Sequence, residues 1–250
     1  MKIHFLGTGN GNPNPNHGHS GILFEIDDRY YLFDSGDGIA TKLWLDKTKD
    51  WSKFYAVFYS HLHPDHLGGH FAFIQLLHQI AKLHKDWELN ITRNLKIYLP
   101  SKKAKKLIEK LMDMMHKTCY NKKYFACEKS KTIYNDEKIK VEVLINRHQP
   151  YSRSFIIEAE GKKIIFSGDI KEPNEIKSIS NNSDLIIIEG AHFPIEKTRD
   201  MVSDINAKRL IVTHLLDERI ADKKKVLNIL EPLKSKIDIS LAYDGYTVEL

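Results

Sequence analysis

The residues best suited to chemistry lie together in Ser60-His61-Leu62-His63-Pro64-Asp65-His66-Leu67-Gly68-Gly69. Three imidazoles and a carboxylate within six residues supply nitrogen and oxygen lone pairs at close spacing. Such donors suit zinc, manganese or iron, and the set lacks the thiolates of a purely structural zinc site. The cluster follows the β-rich run Tyr55–Ser60 and precedes a helical pattern from Leu67. His61 and His63 are therefore expected to point one way, with Asp65 and His66 carried to the other side by the incipient helix. One short cluster cannot fill two metal sites, so further ligands should arrive from distant strand ends. His148, Asp169 and His214 each follow or close a β-rich run, where α/β sheets place their sites.

The elements that must position these groups are legible as recurring short runs of Ile, Val, Tyr and Phe bounded by Gly, Asn, Asp or Pro. They are Lys2–Gly7, Gly21–Ile26, Tyr30–Asp34, Tyr55–Ser60, Leu95–Leu99, Val141–Ile145, Ser154–Glu160, Lys163–Ser167, Leu185–Glu189, Arg209–Thr213 and Asp238–Ala242. Helical spacing recurs in Leu67–Leu83, Ser101–Lys117, Thr198–Asn206 and Glu218–Leu230, and Ser101 reads as an N-cap. The alternation predicts an α/β layered fold with mixed sheets. One domain spanning 1–250 is expected, with a Lys-rich helical segment at about 101–140. Its first helix should bury Ala104, Leu107, Ile108, Leu111, Met112 and Met115 and leave lysines to solvent.

Composition narrows the function classes. The 250 residues carry a formal charge of +5 and 13 histidines. Ser101 to Lys140 holds 12 lysines against five acids. The chain is thus a near-neutral body with one basic segment, unlike a protein that coats nucleic acid on all sides. No apolar run approaches the roughly 18 residues of a membrane span, and the N-terminus shows no secretory signal. Cys119 and Cys127 form no C-x-x-C pair, so a reducing, cytoplasmic location is expected.

His61-Leu-His63-Pro-Asp65-His66 resembles the H-x-H-x-D-H metal motif of the metallo-β-lactamase superfamily. Tyr31-Leu-Phe-Asp34-Ser-Gly36-Asp-Gly38 is similar to its earlier aspartate-glycine motif, and matching landmarks run from Gly7-Thr8-Gly9 to Tyr243-Asp244-Gly245. The resemblance implies a four-layer αβ/βα sandwich, two mixed sheets flanked by helices, with a dinuclear site at one edge. It implies two divalent ions per chain, zinc or manganese or iron. His61, His63 and His148 would hold the first; Asp65, His66 and His214 the second; Asp169 would bridge them. Asp34 is implied as the carboxylate that orients a ligating imidazole.

Within the superfamily, the Gly7–Pro15 opening and Thr213-His214 resemble the transfer-RNA 3′-processing endonucleases. Their bacterial forms carry a substrate-binding arm before the bridging aspartate. Here His148 and Asp169 are 21 residues apart, with room only for a tight hairpin. The chain resembles more closely the phosphoribosyl cyclic phosphodiesterases, which share that short interval and a functional histidine about 20 residues before the last ligand. His192 precedes His214 by 22 residues. No cysteine lies in Asn10–Ser20, so no third metal is assigned; that run should wall the cleft, with His17 and His19 as bystanders.

The expected function is hydrolysis of a small or cyclic phosphodiester by a hydroxide formed on the two ions. Asp65, His192 and the supporting Asp34 form the catalytic set, and Ser152 and Arg153 are candidate phosphate contacts. RNA cleavage, lactone or thioester hydrolysis, and a low-turnover metal-binding regulator are the alternatives. The expected partners are a small phosphodiester, RNA in the alternative, no membrane, and a second copy in a homodimer.

Overall fold

The structure is a computed structural model describing residues 1–46, 48–83, 95–115 and 122–250. Among these residues the strands are β1 (Lys2–Gly7), β2 (Gly21–Ile26), β3 (Arg29–Phe33), β4 (Phe54–Phe58), β5 (Leu95–Leu99), β6 (Lys122–Ala126) and β7 (Lys131–Asn135). They continue as β8 (Ile139–Ile145), β9 (Arg153–Ala159), β10 (Lys162–Phe166), β11 (Leu185–Gly190), β12 (Arg209–Leu215), β13 (Asp238–Leu241) and β14 (Tyr246–Glu249). The helices are α1 (Ile39–Leu45), α2 (Pro64–Leu67), α3 (His70–Leu83), α4 (Lys102–Met115), α5 (Lys177–Ser180), α6 (Ile195–Ser203), α7 (Asp217–Ala221) and α8 (Lys223–Leu230).

Two mixed sheets form, in the orders β14-β1-β2-β3-β4-β5-β6 and β13-β12-β11-β10-β9-β8-β7. Strand periodicity explains the layering. In β2, Ile22, Phe24 and Ile26 enter the core between the sheets, while Leu23 faces the outer core with α1, α3 and α4. In β11, Leu185 and Ile187 face the inter-sheet core, and Ile186 and Ile188 face α6 and α8. Both faces of each sheet are thus covered, which is why these strands read as continuous apolar runs. The expected four-layer αβ/βα sandwich is what the chain forms.

β3 to β6 run parallel in the first sheet, and β10 to β13 run parallel in the second. Their C-terminal ends lead into Asp34, His61, Asp169 and His192, and His214 lies near the end of β12. β8 has the direction of β10 after two antiparallel pairings and delivers His148 to the same edge. β9 and β10 are joined by Glu160-Gly161, both at positive φ, with Ala159 opposite Lys162. That is the tight hairpin expected before the bridging aspartate.

The basic segment differs from its expectation. Helix α4 ends at Met115, and Lys122–Ala126 and Lys131–Asn135 are edge strands rather than helix. Lysine masks edge strands in sequence because one of their faces is solvated. Ser101 caps α4 as expected, its hydroxyl accepting from the Ala104 N–H at 3.0 Å. The helix buries only Ala104, Ile108 and Met112; Leu107, Leu111 and Met115 are exposed. Cys119 lies outside the described residues, and Cys127 is buried. Among the described residues no helix is long and apolar enough to cross a membrane.

A half-buried carboxylate links the two sheets. Asp136, in the β7–β8 turn, accepts from the hydroxyls of Tyr31 and Tyr134, each at 2.7 Å, and from Arg29 Nη1 at 3.0 Å. Burial works to raise its pKa, but these hydrogen bonds win and hold it below the ordinary carboxylate value.

Candidate metal centre

The site grows from the turn after β4. Asp34, just beyond β3, has φ of +58°, and its backbone N–H donates to Phe58 O at 2.8 Å. Ser35 N–H donates to His66 O, and Ser20 N–H to Asp65 O, so the aspartate-glycine turn is stitched to the metal motif. Gly36 sits so close that an added Cβ would lie 2.2 Å from Asp65 O, which is why no larger residue fits. The Asp34 carboxylate is fully buried. It accepts from the Ser60 N–H and hydroxyl, each at 2.7 Å, and from His66 Nδ1 at 2.8 Å. This holds His66 with Nε2 toward the cleft.

Asp169 is the centre of the arrangement. Its preceding Gly168 adopts φ of +53° beneath Arg153 O, turning the chain so that the carboxylate enters the cleft. Oδ1 lies 3.3 Å from His66 Nε2; Oδ2 lies 3.4 Å from His214 Nε2, 3.6 Å from His61 Nε2 and 3.7 Å from His148 Nε2. His148 Nε2 is 3.4 Å from His63 Nδ1, and Asp65 Oδ2 is 3.5 Å from His66 Nε2 and 3.7 Å from His214 Nε2. Two sets result, His61-His63-His148-Asp169 and Asp65-His66-His214-Asp169, each with its ligand atoms within 4.8 Å of one another. These are the two groups expected from the sequence, sharing the expected aspartate.

The donors fit divalent ions. His61 Nε2, His66 Nε2 and Asp169 Oδ1 are buried without a hydrogen-bond partner. Buried lone pairs facing one another are costly unless a cation satisfies them. Burial, then the neighbouring His66, keeps His61 neutral and its lone pair available. Burial opposes a proton on His66, but Asp169 and Asp34 on either side overcome it and raise its pKa well above the ordinary value. Asp169 stays ionised despite burial, because His214 and His66 hold it well below the carboxylate range. An ionised carboxylate that favours positive charge on His66, beside the neutral, unpartnered His61, marks a site suited to a cation.

His192 stands beside both sets. Its ring centroid lies 4.3 Å from that of His148 and 6.0 Å from that of His214. Nδ1 donates to Glu189 Oε1 at 3.0 Å, leaving Nε2 for a ligand in the cleft. The Glu189 hydrogen bond, against burial, raises the His192 pKa. The role of Glu189 was not read from the sequence; its signal is a carboxylate three residues before a histidine at a strand end. A cavity of about 260 Å³ opens over the ligands, lined by Asn10, Gly11, Asn12, Ala191, His192 and Leu216 among others. The Asn-rich run therefore walls the cleft as expected. His17 takes part in holding it: Nδ1 is 3.0 Å from Thr8 Oγ1, and Thr8 in turn donates to Asp244.

Ser152 and Arg153, expected as phosphate contacts, stand away from the cleft. Both are buried and neither lines the cavity. Arg153 donates from Nε to Cys127 O at 2.6 Å, from Nη1 to Ser152 O at 2.8 Å and from Nη2 to Pro100 O at 2.7 Å. It clamps the ends of β5 and β6 to β9, because a buried guanidinium must spend its donors on fixed acceptors. The Arg153→Met variant leaves three carbonyls without that donor and is expected to lose about 3–5 kcal/mol, read as a lower urea midpoint.

The layered fold and the paired His/Asp sets are those of the metallo-β-lactamase superfamily. The chain belongs to the family described as anti-Pycsar protein Apyc1, whose sequence model matches residues 1–215. It is similar to the ribonuclease Z of Borreliella afzelii (strain PKo), at 30% identity over 206 residues. That match covers 70% of this chain and 62% of the relative, so the chain spans less than two thirds of it. Its fold matches the metallo-β-lactamase fold protein YhfI from Bacillus subtilis with a TM-score of 0.80, at 21% identity, over 100% of this chain and 99% of the other. Human tRNase Z, short form, gives a TM-score of 0.77 at 18% identity, again over 100% and 99%.

Proposed function

We propose that the chain hydrolyses a small, cyclic or otherwise compact phosphodiester at a site holding two divalent ions. The observation that carries this reading is the cavity of about 260 Å³ directly over the two His/Asp sets. It lies just below the roughly 300 to 1,000 Å³ of pockets that take drug-sized ligands, which suits a small substrate. The two-residue turn between β9 and β10 adds no arm to extend it. When bound, the ions supply Lewis acidity, which polarises phosphate oxygens and lowers the pKa of water toward about 7.

The chain's own residues do the rest. Asp169 holds both sets in register from one buried carboxylate. Asp65 is the least enclosed carboxylate of the second set and faces the cavity, where it orients the attacking water. Asp34 fixes the ring of His66. His192, held through Nδ1 by Glu189, presents Nε2 to the leaving oxygen and stabilises it as the P–O bond breaks. Asn10 to Asn12 close the opposite wall; Asn10 is spent on Leu215 O and the Asn12 N–H, which leaves the Asn12 side chain for the remainder of the substrate.

RNA cleavage is the second reading. It is favoured by the likeness to ribonuclease Z and by exposed Lys102, Lys103, Lys106 and Lys110 on α4. The test compares 2′,3′- and 3′,5′-cyclic phosphodiesters with a precursor transfer RNA, using metal-loaded protein. Faster turnover of a cyclic compound supports the proposal. Efficient RNA cleavage that falls with salt and with loss of the α4 lysines replaces it. A separate outcome concerns His192→Ala: hydrolysis of an aryl methyl phosphodiester with a phenol leaving group should fall about 100-fold or more, against less than about tenfold for p-nitrophenol. Equal losses on the two substrates would remove His192 from the leaving-group role.

A further inference from the structure

We propose that Arg219 is a positioning residue for His192, acting on the backbone of the turn that carries it. This rests on the reading of His192 as the group at the leaving oxygen. The turn Gly190-Ala191-His192-Phe193 leaves β11 where the ladder with β12 shifts register, between Glu189 and Gly190. A carbonyl released from regular pairing at that point needs another donor. Arg219, on the short helix α7, supplies it: Nη1 donates to Gly190 O and also to Phe193 O, the latter at 2.8 Å. One guanidinium nitrogen therefore brackets the turn at its first and last residues.

The inner side of the same turn is held by Glu189. Its Oε2 accepts from Ala191 N–H at 2.6 Å and His192 N–H at 3.1 Å, and its Oε1 from the His192 ring. Glu189 can set the ring's direction only if the backbone it caps is itself fixed. Gly190 is packed so closely against Leu215 that an added Cβ would lie 2.6 Å from a Leu215 methyl. The two anchors thus face each other across the turn, with carbonyls bound outside and N–H groups bound inside. Arg219 lines a cavity of about 330 Å³ with Pro194, Glu218, Asp222 and Lys225, away from the His/Asp sets. A shorter side chain has room there, so its effect on His192 can be separated from loss of the fold.

The consequence is specific. A displacement of about 1 Å in a reacting group costs roughly 100-fold. Loss of Arg219 should therefore act as a partial copy of losing His192, selective for poor leaving groups. The experiment uses metal-loaded full-length protein with aryl methyl phosphodiesters, comparing Arg219→Met, Arg219→Lys, His192→Ala and the His192→Ala/Arg219→Met double variant. In Arg219→Met, turnover should fall about 10- to 100-fold with phenol as leaving group and less than about threefold with p-nitrophenol, at unchanged metal content. Arg219→Lys, which retains one donor nitrogen, should recover part of that loss. The double variant should be no worse than His192→Ala on the phenol substrate.

A second readout is independent of activity. In metal-free protein, hydrogen exchange at the Ala191 and His192 amides should rise about tenfold or more in Arg219→Met, while the strands keep their protection. Equal losses on both substrates, additive losses in the double variant or unchanged exchange would each overturn the proposal. If His192→Ala shows no leaving-group preference, the reading of His192 falls, and the proposal with it. If His192→Ala shows the preference and Arg219→Met does not, only the proposal falls. Should Arg219→Met not fold, Arg219→Lys and Arg219→Gln carry the same comparison.

Discussion

With two metal ions per chain, as proposed above, Asp169→Ala is expected to lose at least one of them and at least about 1,000-fold in kcat/KM, some 4 kcal/mol of transition-state stabilisation. Its carboxylate is the one group that belongs to both His/Asp sets. Its two oxygens divide the work, Oδ1 toward His66 and Oδ2 toward His61, His148 and His214. Alanine leaves three imidazoles on one side and an imidazole pair with Asp65 on the other, joined by nothing. The remaining donors can still hold a single ion weakly, so the metal count should fall before the fold is affected. Asp169→Asn separates charge from size, since the amide fills the same volume but presents N–H groups to an imidazole. It should lose metal almost as fully as alanine. Elemental analysis of the purified variants and turnover of a chromogenic phosphodiester provide the check. Two ions retained with undiminished turnover would remove Asp169 from the centre.

The second large effect is expected at Asp34, which does not belong to either set. Asp34→Ala should weaken metal binding about 10- to 100-fold and destabilise the fold by about 3–5 kcal/mol. The stability loss has two sources. Ser60 N–H, the Ser60 hydroxyl and His66 Nδ1 all lose their acceptor in a fully buried place. The backbone at φ of +58° also becomes strained for alanine. Asn tolerates that conformation and keeps one acceptor oxygen. Asp34→Asn should therefore regain most of the stability, and its metal affinity should remain about tenfold or more below that of the native protein. The reason is directional: the amide nitrogen faces His66 Nδ1 or Ser60 in place of an acceptor, and the ring's tautomer and aim are no longer fixed. Competitive chelator titration and urea unfolding measure the two effects separately. Native metal affinity in Asp34→Asn would show that the carboxylate does not orient His66.

The residues that carry these effects were legible in the sequence to different degrees. His61 to His66 announced themselves because their ligand atoms come from one turn, where local geometry alone brings donors together. His148, Asp169 and His214 were legible as strand ends, since a ligand just past an apolar run has only one edge of the sheet to occupy. The short apolar runs likewise predicted an α/β layered fold with mixed sheets, while the two-sheet, four-layer arrangement was implied by the family resemblance alone. β6, β7 and β14 were missed because they are short edge strands, with lysine and polar residues on their open faces. Arg153 and Ser152 were misassigned for a related reason: a Ser-Arg pair beside a ligand reads as phosphate-binding whether it faces the cleft or the interior.

Spacing by itself determined which side chains could ligate, at which strand ends they stand, and that the hairpin before Asp169 is short. Only the tertiary structure decided that Arg153 turns inward to three carbonyls, that Asp34 and His66 meet, and that Arg219 reaches back to Gly190 and Phe193. These contacts join segments separated by 26 to 53 residues for two of the Arg153 bonds, 32 for Asp34 and His66, and 29 and 26 for Arg219. Periodicity states which face of an element is buried. It does not state which of many buried acceptors a given donor will meet, because that depends on how distant segments are brought together by packing of the whole core.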